Sequence, residues 1–209
     1  MTTNKNNIYL IGFSYSGKTV VGQILARLSN RIFLDIDQEI TKSQGQSIDS
    51  IFSEHGESYF RDLESQALEK ASLDGGKIIS TGGGIVVDPA NREIMKETGF
   101  VIHLETSPQV VLQRMRAGSN NELRPLLSTN NPIQAIRDLR SKRSSFYYDS
   151  DWVVKTDQLT PDEVADVITD GLGRIKDKNP VLLDAYNEST TPNIKNITVQ
   201  MESANYEII

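Results

Sequence analysis

Residues 12–19 read Gly-Phe-Ser-Tyr-Ser-Gly-Lys-Thr, a full match to the pattern G-x-x-x-x-G-K-[ST]. The apolar run Ile8-Tyr9-Leu10-Ile11 precedes it, and the helix-compatible stretch Val20 to Leu28 follows. Such a loop has meaning only between a strand and a helix. Its amides then turn inward on anionic oxygens, and the helix N-terminus adds its positive dipole end. With glycine near 7% of residues, the eight-residue pattern arises by chance in only about one chain in a hundred of this length. The feature therefore dictates a βα unit that cradles phosphate. Lys18 is placed to reach the β- and γ-phosphates of ATP, and the Thr19 hydroxyl to ligate Mg²⁺. Tyr15, Ser16, Gly17, Lys18, Thr19 and Val20 form the expected ATP-binding stretch, and Gln158 is added to it from the far end of the chain.

The rest of the chain repeats the same unit. Apolar runs at 8–12, 32–35, 77–80, 100–104 and 152–155 predict five strands. Helical patterns fall at 17–29, 47–73, 89–98, 107–116, 133–148 and 160–175. This alternation predicts a mostly parallel sheet covered by helices on both faces. Asp88-Pro89, Ser107-Pro108 and Thr160-Pro161 read as N-caps followed by proline at the first helical position.

A length of 209 residues suits one α/β domain over 1–176, with a polar tail over 177–209. The tail is rich in Asn, Thr and Ser and contains one strand-like run, 197–201; disorder and pairing with a sheet edge both fit it. The segment 117–131, built around Arg124-Pro125, predicts a lid loop. There is no cysteine, so disulfides, thiolate metal sites and a thiol nucleophile are excluded. No apolar run is long enough to span a bilayer, and the polar N-terminus lacks a signal-peptide pattern. A cytoplasmic monomer that binds neither membrane nor nucleic acid is expected; the net charge of −6 argues against the latter. Seven Arg and Lys residues nevertheless crowd 110–145 against two acids, which predicts an anionic ligand on that side.

Five sites carry chemistry. Phe33-Leu34-Asp35-Ile36-Asp37 closes the second strand, and period-two alternation puts Asp35 and Asp37 on one side. One carboxylate can hold Mg²⁺ through water while the other accepts a proton from an attacking hydroxyl. A helix N-cap is the plainer reading of either. The third strand runs into Gly82-Gly83-Gly84 without the metal-holding Asp of motor and switch NTPases, which turns the metal role to Asp35. Arg61 is flanked by Glu57 and Glu64 at helical spacing, as a surface ion-pair ladder or as a fixed grip for a substrate carboxylate. The three glycines permit close ligand approach. Arg124 can close over a transferred phosphoryl group, and Arg143 lies late in a helix, where it also suits the helix dipole.

Taken together, these segments resemble the shikimate kinase family. The resemblance spans about residues 6–173. It rests on 12–19, Phe33 to Asp37, Gly45-Gln46-Ser47-Ile48, Gly56 to Glu64, Thr81 to Gly84, Arg124-Pro125-Leu126-Leu127 and Lys142-Arg143-x-x-x-Tyr147. It implies a three-layer α/β/α fold of the nucleoside-monophosphate-kinase type, around a five-stranded parallel sheet. The implied reaction converts ATP and shikimate to ADP and shikimate 3-phosphate, a step toward chorismate and the aromatic amino acids. By the family pattern Asp37 is the base, and Arg61 and Arg143 grip the shikimate carboxylate. Gly82 and Gly83 offer backbone contacts, and Phe52 and Phe60 wall the pocket. Lys18 and Arg124 stabilise the transferring phosphoryl group, with Thr19 and, through water, Asp35 at Mg²⁺. The sequence departs from that pattern at Tyr15, Ile36, Thr41 and Asp151, and Arg116 matches the family's adenine-side arginine only approximately. A gluconate kinase on the same fold and a non-catalytic nucleotide-binding module are the rivals.

Overall fold

The computed structural model describes residues 6–117, 131–178, 197–201 and 204–208. Arg124, with the rest of the expected lid from 118 to 130, lies outside these residues, as does 179–196 of the tail. In chain order the elements are β1 (Asn7–Ile11), α1 (Lys18–Ser29), β2 (Ile32–Asp35), α2 (Ile36–Gln44), α3 (Ile48–Ser72) and β3 (Lys77–Ser80). A short 3₁₀ turn (Ile85–Val87) follows, then α4 (Pro89–Thr98), β4 (Gly99–Glu105), α5 (Pro108–Ala117), α6 (Pro132–Tyr147), β5 (Trp152–Lys155) and α7 (Pro161–Lys178). Two further strands, β6 (Ile197–Met201) and β7 (Ala204–Ile208), pair antiparallel with Ile197 opposite Ile208.

Strands β1 to β5 form one parallel sheet in the order β2-β3-β1-β4-β5. Parallel neighbours need helical crossovers, which cover both faces and force the strands to be apolar throughout. On β1, Ile8 and Leu10 point to one face, where they join Val21 and Leu25 of α1 and Val164 and Ile168 of α7. Tyr9 and Ile11 point to the other, against Phe60 and Leu68 of α3, Met95 of α4, Val111 of α5 and Ile136 of α6. Each such fully buried aliphatic side chain contributes about 1.5–3 kcal/mol, so these two layers fix the sheet rigidly beneath the loops. The chain leaves β1 for β2, returns to β3 beside β1, and then crosses to β4 on the other flank. The order reverses at β1, and the loop Gly12–Gly17 sits at that switch point, where open α/β sheets bind ligands.

The predicted caps form. Asp88 accepts from the Ala90 amide at 2.8 Å. Thr160 and Glu163 close a reciprocal capping box, with the Thr160 amide donating to Glu163 at 2.7 Å and the Glu163 amide to Thr160 at 3.3 Å.

Two expectations are corrected. The segment Phe33 to Asp37 is not one strand: β2 stops at Asp35, whose carboxylate caps α2 by accepting from the Gln38 amide at 3.2 Å. Strand alternation therefore does not relate Asp35 to Asp37; one ends a strand and the other lies in the first helical turn. The helix expected over 47–73 is broken at Gly56, whose φ of 82° and ψ of 176° separate two helical pieces inside α3. The strand-like run at 197–201 forms β6, which pairs with β7 in a two-stranded sheet, and β7 lies alongside β5, the edge strand of the main sheet, without joining its ladder.

Candidate active site

The phosphate loop is built for anions. Helix α1 starts at Lys18 with no side-chain cap, so its first-turn amides stay available to an anion. Gly12 has φ 146°, and a Cβ there would sit 2.6 Å from the Leu104 carbonyl oxygen, so the loop can cross β4 only with glycine. Tyr15 holds φ 64°, a left-handed conformation that costs a non-glycine residue about 1–2 kcal/mol. Its carbonyl is used: Arg114 Nη1 donates to Tyr15 O at 3.2 Å and Ser16 O at 3.1 Å, while Nη2 reaches Thr156 O at 3.3 Å. One guanidinium thus ties the phosphate loop to α5 and to the turn after β5. Lys18 Nζ donates to the carbonyls of Gly12 and Phe13, each at 2.9 Å.

Thr19 Oγ1 donates to Asp35 Oδ2 at 2.7 Å. Hydroxyl and carboxylate oxygens are the donors that Mg²⁺ takes, and this cation keeps most of its shell as water and phosphate oxygen. Among the described residues no group of three or more His, Asp or Glu could cage a metal. The pair Thr19 and Asp35 fits that ion.

Beside the loop lies a cluster of charged side chains. The Arg61 guanidinium pairs through Nη1 with Glu64 and through Nη2 with Glu57 at 2.9 Å, and its Cζ stands 5.4 Å from the centre of the Phe60 ring. Phe60 in turn packs on Phe52, with ring centres 4.8 Å apart. The acids do grip the arginine, and they fix it beside the glycine turn. Glu64 is buried. Burial pushes its carboxyl up to about 7; Arg61 opposes the rise and the charge of Asp37 adds to it. Its Oε1 has no hydrogen-bond partner.

The three glycines face three different neighbours. A Cβ on Gly82 would overlap Glu64 Oε1 and come within 3.0 Å of Asp37 Oδ1. One on Gly83 would sit 3.0 Å from the Ser14 amide nitrogen of the phosphate loop. One on Gly84 would overlap the Arg61 guanidinium. From α6, Arg143 is buried and donates through Nη1 to Gly83 O at 2.9 Å. Asp37, Glu64, Arg61, Arg143 and Gly82 to Gly84 therefore converge beside the loop that carries Lys18 and Thr19.

Of the other expected residues, Val20 is half exposed on the first turn of α1, and Gln158 is exposed in the turn after β5, at the same end of the sheet. Arg116 is exposed, whereas Arg114 faces the loop. The sequence reading missed Arg114, the unpaired oxygen of Glu64 and the contact of Tyr147 with Gly83. Among the described residues Arg114 bonds only to main-chain carbonyls, which leave no side-chain signature to find.

A family model described as shikimate kinase matches residues 15–172. A shikimate kinase from Persephonella marina is 42% identical over 170 residues, 81% of this chain and 99% of the relative. The structure of a shikimate kinase from Acinetobacter baumannii in complex with shikimate superposes with a TM-score of 0.78 at 35% identity, covering 83% of this chain and 96% of that one. A gluconokinase from Sinorhizobium meliloti 1021 superposes with a TM-score of 0.53 at 16% identity, covering 87% of this chain and 99% of that one, and so shares the fold alone.

Proposed function

The chain belongs to the shikimate kinase family and is an ATP-dependent kinase of shikimate, and we propose the following division of labour among its residues. Phosphoryl transfer asks for positioning and charge neutralisation more than for covalent help. Arg61 and Arg143 hold the shikimate carboxylate by charge-assisted bonds, the first fixed by Glu57 and Glu64 and the second by Gly83 O. Gly82 and Gly83 let the ring approach the main chain, and Phe52 and Phe60 wall its apolar side. Asp37 accepts the proton of the 3-hydroxyl as that oxygen bonds to the γ-phosphorus and the bond to ADP breaks. Lys18 neutralises the phosphoryl oxygens from the loop side, and Arg124 does so from the lid. The loop amides and the open N-terminus of α1 orient the β- and γ-phosphates. Thr19, with Asp35 through water, holds Mg²⁺, which when bound offsets phosphate charge.

The observation that carries this reading is the convergence of Asp37, Arg61 and Arg143 on Gly82 to Gly84, within contact of Ser14 of the phosphate loop. A monomer is the proposed working unit. Residues 1–176 are the proposed catalytic domain, with 177–209 an appendage. Among the described residues no helix is long and apolar enough to cross a membrane, and its small polar substrates fit a cytoplasmic site of action. A coupled assay of ADP release, run with shikimate, with gluconate and with neither, tests the assignment. Release that depends on shikimate is expected; turnover with gluconate but not shikimate would overturn it.

A further inference from the structure

Two groups donate to the carbonyl oxygen of Gly83. Arg143 Nη1 does so at 2.9 Å and the Tyr147 hydroxyl at 2.5 Å. Both lie on α6, one helical turn apart. Tyrosine and arginine thus meet at one carbonyl inside the protein. Tyr147 is buried, and burial pushes its hydroxyl up to about 12, so it remains a donor at any working pH.

The Tyr147 ring is seated from the sheet side. His103 of β4 is buried and stacks on it, with ring centres 5.1 Å apart and planes 17° from parallel. Tyr148 meets His103 edge-on, with ring centres 5.6 Å apart. Burial, with Arg140 and Lys18 nearby, holds the imidazole down to about 3, so it is a neutral flat surface. Among the described residues His103 Nδ1 has no hydrogen-bond partner. The imidazole therefore acts on Tyr147 through its ring face.

We propose that Tyr147, seated by His103, is a positioning residue of the acceptor site: its hydroxyl fixes the Gly83 carbonyl, and that carbonyl aims the Arg143 guanidinium at the substrate carboxylate. An arginine left to itself samples many rotamers, and ordering such a side chain costs about 0.5–1.5 kcal/mol. Here that cost is met during folding. The inference rests on the assignment of Arg143 to the substrate carboxylate. It adds two residues that touch no substrate.

The test is steady-state kinetics on the full chain with Y147F, H103F, R143A and Y147F/R143A. Y147F should raise the shikimate KM about fivefold, the worth of one net hydrogen bond. It should leave the ATP KM and kcat within about twofold. H103F keeps the stacked ring and should match the parent; it also serves if Y147F fails to fold, since a fivefold KM change in H103F would show that the imidazole acts other than as a flat support and overturn its role. R143A should raise the shikimate KM by more than Y147F does, and adding Y147F to it should change nothing further. An equal Y147F effect with and without Arg143, or a Y147F loss in kcat alone, overturns the proposal while leaving the acceptor site intact. An unchanged shikimate KM in R143A removes the acceptor-site reading, and this inference with it.

Discussion

The Thr19 hydroxyl and the Asp35 carboxylate meet at 2.7 Å, joining the first turn of α1 to the end of β2. Asp35 spends its second oxygen on the Gln38 amide. It is at once a helix cap and the acidic partner of Thr19, so the two roles separate by substitution. Asp35→Asn keeps a good cap, because asparagine ranks with aspartate at that position, but it removes the charge. The expected outcome is an unchanged melting temperature and a Mg²⁺ concentration for half-maximal rate raised about tenfold or more. A Mg²⁺ titration of the rate decides it, and an unshifted curve would exclude Asp35 from the metal.

Asp37 is the proposed base. Asp37→Asn should lower kcat by about two to four powers of ten, the usual worth of a general base. ATP affinity, measured by titration without shikimate, should stay within about twofold. Wild-type turnover would leave the attacking hydroxyl without an assigned base.

Glu64 gives a pH signature. Its carboxyl rises from the ordinary 4.5 to about 7 on folding, chiefly through burial. Between those values the folded chain binds more protons than the unfolded one, so this group's contribution to stability is full below about 4.5 and is lost as pH rises through about 7. The slope reaches at most about 1.4 kcal/mol per pH unit. Glu64→Gln cannot titrate, so denaturant unfolding at pH 5 and pH 7.5 should show a smaller difference for the variant than for the parent. An equal difference would refute the shift.

Gly171 of α7 tests packing away from the chemistry. A Cβ there would overlap the Trp152 indole. Forcing volume into a filled core costs about 1–3 kcal/mol, which lowers Tm by about 2–4 °C per kcal/mol in a chain of this size. Gly171→Ala should therefore melt several degrees lower while its KM values, measured well below the transition, remain those of the parent.

Much of this was readable from the residues, for identifiable reasons. Four of the five parallel strands are largely buried on both faces and edge strand β2 partly so, which makes them stand out as short apolar runs, and the loop at 12–19 needs its glycines and lysine in a fixed order. Helix α2 was not readable. It is short and polar, and Asp35-Ile36-Asp37 mimics strand alternation across the point where the chain turns helical. The break at Gly56 was hidden because the flanking residues suit helix on both sides. Asp37, Arg61 and Arg143 were legible as charged residues at telling positions. Their setting was not, since Gly83 O, Tyr147 and His103 come together only through tertiary packing.

Gly82, Gly83 and Gly84 stand against Glu64, Ser14 and Arg61 respectively. Each is small for its own reason, so no single compensating change elsewhere could admit a side chain at more than one of them. Substitutions in this triplet should therefore be intolerant one at a time and beyond rescue in combination. The same turn would make a stubborn anchor for an inhibitor: a compound resting its weight on these main-chain atoms leans on a surface that mutation has little freedom to reshape.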